Sequence, residues 1–356
     1  MPALDRLLHT MIERGGSDLH LTIGFPPKAR LSGSLVALED EPVDESTMEQ
    51  LLREICPGNR WTDYQEKDDL DFAYEITGLA RFRVNYLRNH YGMAAVLRQI
   101  PSVILNFHQL KLPEVIKRFC VLEQGLVVVT GPTGSGKSTT LAAMVDYINT
   151  NYRRHIITIE DPIEFVHAAK QSVIVHREVG DHTASFAAAL KGAMRHDPDI
   201  ILLGEMRELE TMKLALSCAS MGMLVFGTLH TNNAPKTIDR IINAFPAEEQ
   251  NQVRVMLASC LAGVVAQLLC KRVPRGRVAV HEILLPHEAL ANTIRSGMIA
   301  NIRGIIEAGT ADGMISMDGS LLRVLNEGLI TPEEAYAKAA NKALFAPFLG
   351  TVPAAH

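Results

Sequence analysis

The sharpest chemical signal in the chain is a run of eight residues, Gly131, Pro132, Thr133, Gly134, Ser135, Gly136, Lys137 and Ser138, followed by Thr139. The run fits G-x-x-x-x-G-K-[ST]. It lies between an all-apolar stretch at 126–130 and a segment with Leu141, Met144, Val145 and Ile148 at helical spacing. Glycines here let backbone N–H groups turn inward and approach an anion, where side chains would block the way. A helix starting near Lys137 adds the partial positive charge of its N-terminus. The expected ligand is ATP with Mg²⁺: Lys137 neutralises the β and γ phosphates, the Ser138 hydroxyl ligates the cation, and Thr139 adds a phosphate hydrogen bond. A chance glycine-rich turn would need neither flanking element, and this one has both.

A phosphate cradle that hydrolyses its ligand also needs an acid to orient water. Ile200-Ile201-Leu202-Leu203-Gly204-Glu205 reads as a buried strand ending in a carboxylate. Ligands of open α/β sheets bind beyond the carboxyl ends of the strands, which puts Glu205 near the γ-phosphate. Two more apolar runs end in polar clusters: 156–159 leads into Glu160-Asp161-Pro162-Ile163-Glu164, and 224–228 into Leu229-His230-Thr231-Asn232. Solvated acids or a structural histidine would account for either cluster alone. Three strand ends delivering polar residues to the edge that holds the glycine loop are not accounted for that way.

The scaffold follows from the same runs. From Gly125 onward the strands are apolar on both faces and alternate with helical segments, as in a parallel α/β sheet. Residues 1–100 read as α+β. A helix over 3–14 places Leu4, Leu7, Leu8 and Met11 on one face and stops at Gly15-Gly16. Strands are expected at 18–22, 28–31, 34–38, 70–75, 80–87 and 92–98, with a helix over 46–55. Ile100-Pro101 closes this domain. A connector spans 101–118, the nucleotide-binding core 119–285, a series of short helices 286–342, and a tail with little period, expected to be poorly ordered, 343–356.

Composition narrows the class. With 356 residues, 47% hydrophobic and 21% charged, the chain has the balance of a globular protein of two domains. A net charge of -5 without a basic-aromatic patch argues against a nucleic-acid partner. Cys56, Cys120, Cys218, Cys260 and Cys270 are scattered, with no C-x-x-C pair, and read as reduced, mostly buried thiols of a cytoplasmic protein. The N-terminus lacks a basic stretch leading into an apolar run, so no signal peptide is expected. The longest near-apolar stretch, 255–270, contains Ser259 and Gln267 and falls short of the ~18–20 residues of a membrane span. It reads as a buried core helix.

Several long stretches together resemble the secretion-type ATPases, and among them the PilT-type twitching-motility ATPases. These are Gly15-Gly16-Ser17-Asp18-Leu19-His20, the glycine loop, 159–167 (IEDPIEFVH), 197–211 (DPDIILLGEMRELET) and 226–241 (FGTLHTNNAPKTIDRI). The resemblance implies a RecA-like P-loop core behind a smaller PAS-like N-terminal domain, with a C-terminal helical segment, assembled as a homohexamer that powers pilus retraction. It implies Glu205 as the base that activates water, Glu164 as an organiser of Mg²⁺ and its water, and His230 as the sensor of the γ-phosphate. It also implies arginines of the N-terminal domain at the nucleotide, for which Arg81, Arg83 and Arg98 lie in the matching stretches ARFRVNYL and VLRQIP. A solvated strand face is the plain alternative for each arginine. The implied partners are an inner-membrane pilus platform protein and a paralogous retraction ATPase. Two departures point to an accessory, PilU-like paralogue as the alternative. In the stretch Ala289–Gly297, Ala291 and Ser296 stand where such enzymes carry arginine and glutamate, and Met223 stands where they carry histidine. A pilus-assembly or type II secretion ATPase is the other alternative, but those carry an additional N-terminal domain and paired C-x-x-C motifs that this sequence lacks.

Overall fold

Alternation of apolar and polar residues builds the first sheet. In the strand Ala80–Asn89, Ala80, Phe82, Val84 and Tyr86 are buried while Arg81, Arg83 and Asn85 face away. The computed structural model describes residues 2–31, 33–58, 60–100 and 103–350 and divides the chain into two compact units. One comprises Met1–Val103 with Asp161–Val166, the other Ile104–Glu160 with His167–His356.

The first unit carries β1 (Gly16–Thr22), β2 (Lys28–Leu31), β3 (Ser34–Ala37), β4 (Asp69–Ile76), β5 (Ala80–Asn89) and β6 (Gly92–Ile100). They form an antiparallel sheet in the order β3-β2-β1-β6-β5-β4. The helices Ala3–Glu13 and Glu45–Ile55 bury Leu4, Leu8, Met11, Met48 and Leu52 in one core with Phe72, Phe82 and Tyr86. The Tyr86 hydroxyl donates to the Leu52 carbonyl at 2.8 Å. A third helix, Arg60–Lys67, was not expected from sequence; only Trp61 and Tyr64 anchor it, too few for a periodic signal.

The second unit contains β7 (Gly125–Thr130), β8 (His155–Glu160), β9 (Val173–Glu178), β10 (Ile200–Leu203), β11 (Leu224–Leu229), β12 (Leu261–Lys271) and β13 (Arg277–Leu284). Their order is β13-β12-β7-β11-β10-β8-β9, all parallel except the β12–β13 pair. Every residue of β7, β10 and β11 is buried, the pattern of strands covered by helices on both faces. β9 gave no apolar run because it is an edge strand with Val173 and Val175 exposed.

Two expectations are corrected here. The apolar stretch 255–270 is not one helix: helix Gln250–Cys260 ends at Cys260, and Leu261 begins the long strand β12. Unbroken apolarity fits a buried helix and a buried strand alike, and the β-branched pair Val264-Val265 beside Gly263 favours the strand. The stretch from 343 is not a loose tail up to residue 350: helix Lys342–Phe345 and the turn Ala346–Gly350 carry the fully buried Phe345. Residues 351–356 lie outside the described residues, as do Pro101 and Ser102 at the start of the expected connector. The rest of that connector holds Phe107, Leu112 and Ile116, all buried in the second unit's core.

Candidate nucleotide site

Parallel register sets the stage. Leu229 of β11 pairs with Thr130 of β7, Leu203 of β10 with Gly227 of β11, and Ile159 of β8 with Leu203. The carboxyl ends of four neighbouring strands therefore finish at one edge, in the order β7, β11, β10, β8. They deliver the glycine loop, His230, Glu205 and Glu160, and helix Lys137–Asn151 leaves the loop from the same edge.

The loop backbone is one that glycine alone adopts readily. Gly131, Gly134 and Gly136 have φ of 149, 76 and 87°. A Cβ on Gly131 would sit 2.2 Å from the Gln267 carbonyl oxygen, so β12 closes that wall of the loop. Lys137 is buried and its Nζ donates to the carbonyls of Gly131 at 2.9 Å and Pro132 at 3.2 Å, which folds the ammonium back into the loop. Pro132, Thr133 and Gly134 are exposed, whereas Ser135 is buried and its hydroxyl has no hydrogen-bond partner. Ser138 and Thr139 are half-buried on the first turn of the helix.

Glu205 and His230 come together: His230 Nε2 lies 3.0 Å from Glu205 Oε1, and the Arg207 guanidinium Nε donates to the same oxygen. The strand ends beneath them are tied by Thr228 Oγ1 to the Gly204 carbonyl at 2.5 Å and by Met206 N to the Thr228 carbonyl at 3.0 Å. On the other side of β11, Thr130 Oγ1 reaches the Thr231 carbonyl at 2.7 Å, and the Thr231 and Thr237 hydroxyls are 2.7 Å apart. That chain joins the strand before the loop to helix Ala234–Ile242. The same helix is capped by Asn233, which accepts from Lys236 N at 2.9 Å, and by the buried Glu282, which accepts from Ala234 N at 2.8 Å. Burial pushes the Glu282 carboxyl above its ordinary range, against the backbone N–H groups that favour its charge.

Residues 3–315 match the family described as Type II/IV secretion system protein. The chain belongs to that family. Its relatives include the Pseudomonas aeruginosa protein named Type IV pilus retractation ATPase PilT, 46% identical over 94% of this chain and 98% of that one. A Twitching motility protein of Neisseria gonorrhoeae is 46% identical over 88% and 84%. Pseudomonas aeruginosa PilU, named a Type IV pilus ATPase, is 40% identical over 94% and 88%. Among solved structures, the pilus retraction motor PilT with bound ADP superposes with a TM-score of 0.89 at 41% identity, covering 97% of this chain and 98% of that one. The chain is thus an α/β ATPase of the secretion family, on its pilus-retraction branch.

Glu164 lies in Asp161–Val166, the segment that groups with the first unit. Arg81, Arg83 and Arg98 share the polar face of the first unit's sheet, where Arg83 stands directly opposite Arg98 and Arg98 opposite Asp18. There Arg98 Nε donates to Asp18 Oδ1 at 2.7 Å, Arg83 pairs with Asp71 at 3.6 Å, and Arg81 with Glu75 at 3.8 Å. Hydrogen bonds from Ser17 and Arg98 and the nearby guanidinium charge hold the Asp18 carboxyl below its ordinary range despite its burial. Sequence reasoning missed Gln267, whose side chain reaches the loop, and Arg207. The signal for Gln267 was present: it is the one polar side chain between Leu261 and Cys270.

Proposed function

We propose that the chain is an ATP-hydrolysing motor that retracts a type IV pilus, working as a homohexamer in the cytoplasm at the inner-membrane base of the pilus. The observation that carries this reading is the meeting of Glu205 with His230 at the strand edge that holds the glycine loop, in a chain nearly half identical to a retraction ATPase along almost its full length. In this reading the backbone N–H groups of Gly134, Gly136 and Lys137 cradle the β and γ phosphates, and Lys137 leaves its loop carbonyls to neutralise them. Glu205 takes the proton of the attacking water, and His230 moves from Glu205 to the γ-phosphate, so that the base is released only when that phosphate is present.

The fit to Mg²⁺ rests on the half-exposed Ser138 hydroxyl beside the loop. Among the described residues no cluster of three His, Cys, Asp or Glu side chains could hold a metal alone, which suits a cation bound mainly through phosphate oxygens. Ser138 and Glu164 would hold it, and its charge would offset that of the transferring phosphoryl group. An arginine from the face that carries Arg81, Arg83 and Arg98 would offset the remainder in the assembled ring.

Among the described residues no helix is long and apolar enough to cross a membrane. Force on the filament is assigned to docking on an inner-membrane platform protein. Ala291, Ser296 and Met223 favour a second reading, an accessory motor that works beside a paralogue. Deleting the gene and imaging pili tests both. Long pili that no longer retract support the main motor, retraction that persists but fails under load supports the accessory role, and absent pili would replace both readings with assembly.

A further inference from the structure

We infer that Gln267 is a positioning residue for nucleotide binding, a strut from β12 that orients the backbone of the glycine loop; this rests on the reading of that loop as the nucleotide site. Its amide is spent entirely on the loop and the helix that follows. Nε2 donates to the Ser135 carbonyl at 2.7 Å, and Oε1 accepts from Thr140 Oγ1 at 2.7 Å. Gln267 is 3% exposed, so neither bond competes with bulk water.

The consequence runs through peptide geometry. The Ser135–Gly136 peptide is planar, and its carbonyl and N–H point in opposite directions. With the Ser135 carbonyl turned onto Gln267, the Gly136 N–H is turned away from the β12 wall, to the open side of the loop. Left alone, a glycine-rich peptide would populate several orientations, because glycine is restrained on neither side of φ. The fit around the strut is tight: a Cβ at Gly136 would lie 2.8 Å from Gln267 Nε2. The Ser135 carbonyl can only accept and so fixes the NH2 end of the amide toward the loop, while the Thr140 hydroxyl donates to the oxygen end that is left. β12 also pairs in antiparallel register with β13, Gln267 opposite His281. The orientation of the loop is thereby tied to the strand pair on which the C-terminal helices pack.

A strut that prepares the loop before ATP arrives should act on binding in the ground and transition states alike, raising KM and leaving kcat nearly unchanged. The test measures ADP and ATP binding by calorimetry on the full chain, with steady-state hydrolysis and melting temperature alongside. Gln267→Leu should weaken both nucleotides about tenfold, the scale of one lost buried hydrogen bond, with kcat within about twofold. Thr140→Val, which frees only the oxygen end of the amide, should weaken them about threefold; it also carries the test if Gln267→Leu fails to fold. Val280→Ala, a cavity on the other face of β13, should lower the melting temperature and leave affinity as it was. Unchanged affinity in both loop-side variants, a fall in kcat with KM unmoved, or an equal loss of affinity in Val280→Ala would overturn the strut. Failure of the unaltered chain to bind ADP or ATP at all would remove the nucleotide reading itself, and the strut with it.

Discussion

At the scale of single residues, the loop and the two strand ends divide the work between binding and chemistry. Lys137 sits inside the loop, whereas Glu205 stands at the end of β10 and touches His230 and Arg207. Glu205→Gln should therefore bind ATP normally and turn it over at least ~100-fold more slowly, within the span of a lost general base. Lys137→Ala should weaken binding itself. Titration of both variants with a fluorescent ATP analogue, followed by a single-turnover assay, separates these outcomes, and near-normal turnover by Glu205→Gln would take the base role from Glu205. Gly131→Ala tests the cradle. With φ at 149° and the Gln267 carbonyl 2.2 Å from the added carbon, the loop cannot keep its shape, and nucleotide protection against thermal unfolding should vanish.

Among the elements, the β12–β13 pair is what joins the C-terminal helices to the ATPase sheet. Ala266, Cys270 and Val280 on the two strands share one core with Met317, Leu321, Val324 and Phe345 from the helices. The helices from Met317 onward therefore act as a cover for one end of the sheet, whereas Leu290, Ile294, Ile302 and Ile306 of the two helices before them are buried in the main core. Leu321→Ala, at a fully buried position, should cost about 2–5 kcal/mol in urea unfolding. Leu344→Ala, at a position 46% exposed, should stay within about 0.5 kcal/mol of the parent. Equal effects would mean that the helices contribute no core. The same packing bears on truncation: a chain cut after Leu285 would expose the strand faces that these helices bury, and its unfolding midpoint should fall well below that of the full chain.

For the whole molecule, pH dependence follows from two buried imidazoles. His281 has both ring nitrogens without a hydrogen-bond partner, and burial lowers it from 6.5 to about 4. His167, stacked on His176 at 5.8 Å, is lowered to about 4 by burial and then by that neighbour. Both folded values lie below the unfolded one. Each group's contribution is thus complete above about pH 6.5 and is lost as pH falls toward 4. Glu282 runs the other way: its value is raised, so its contribution is present at low pH and lost as pH rises through the folded value. The fully buried His281 should make the protein about 2 kcal/mol less stable at pH 5 than at pH 7.5. Urea unfolding at both pH values checks this, and His281→Leu should flatten the acid slope; an unchanged slope would show that His281 is protonated in the folded state.

The sequence by itself determined the glycine loop, the strand that precedes it and the helix that follows, because these depend on contiguous residues and their period. It determined Glu205 and His230 as strand-end residues for the same reason, and it placed Leu4, Leu7, Leu8 and Met11 on the buried face of the first helix. Only the tertiary structure decided which strand ends are neighbours, and so that Glu205 meets His230 and that Arg83 stands across from Arg98. It also decided where the run 255–270 changes from helix to strand. Pairing of that strand with β7 is what carries Gln267 to Ser135, 132 residues away in the chain. Period and composition report whether a residue is buried; sheet order and register decide what it is buried against, and those are set by packing the whole core at once.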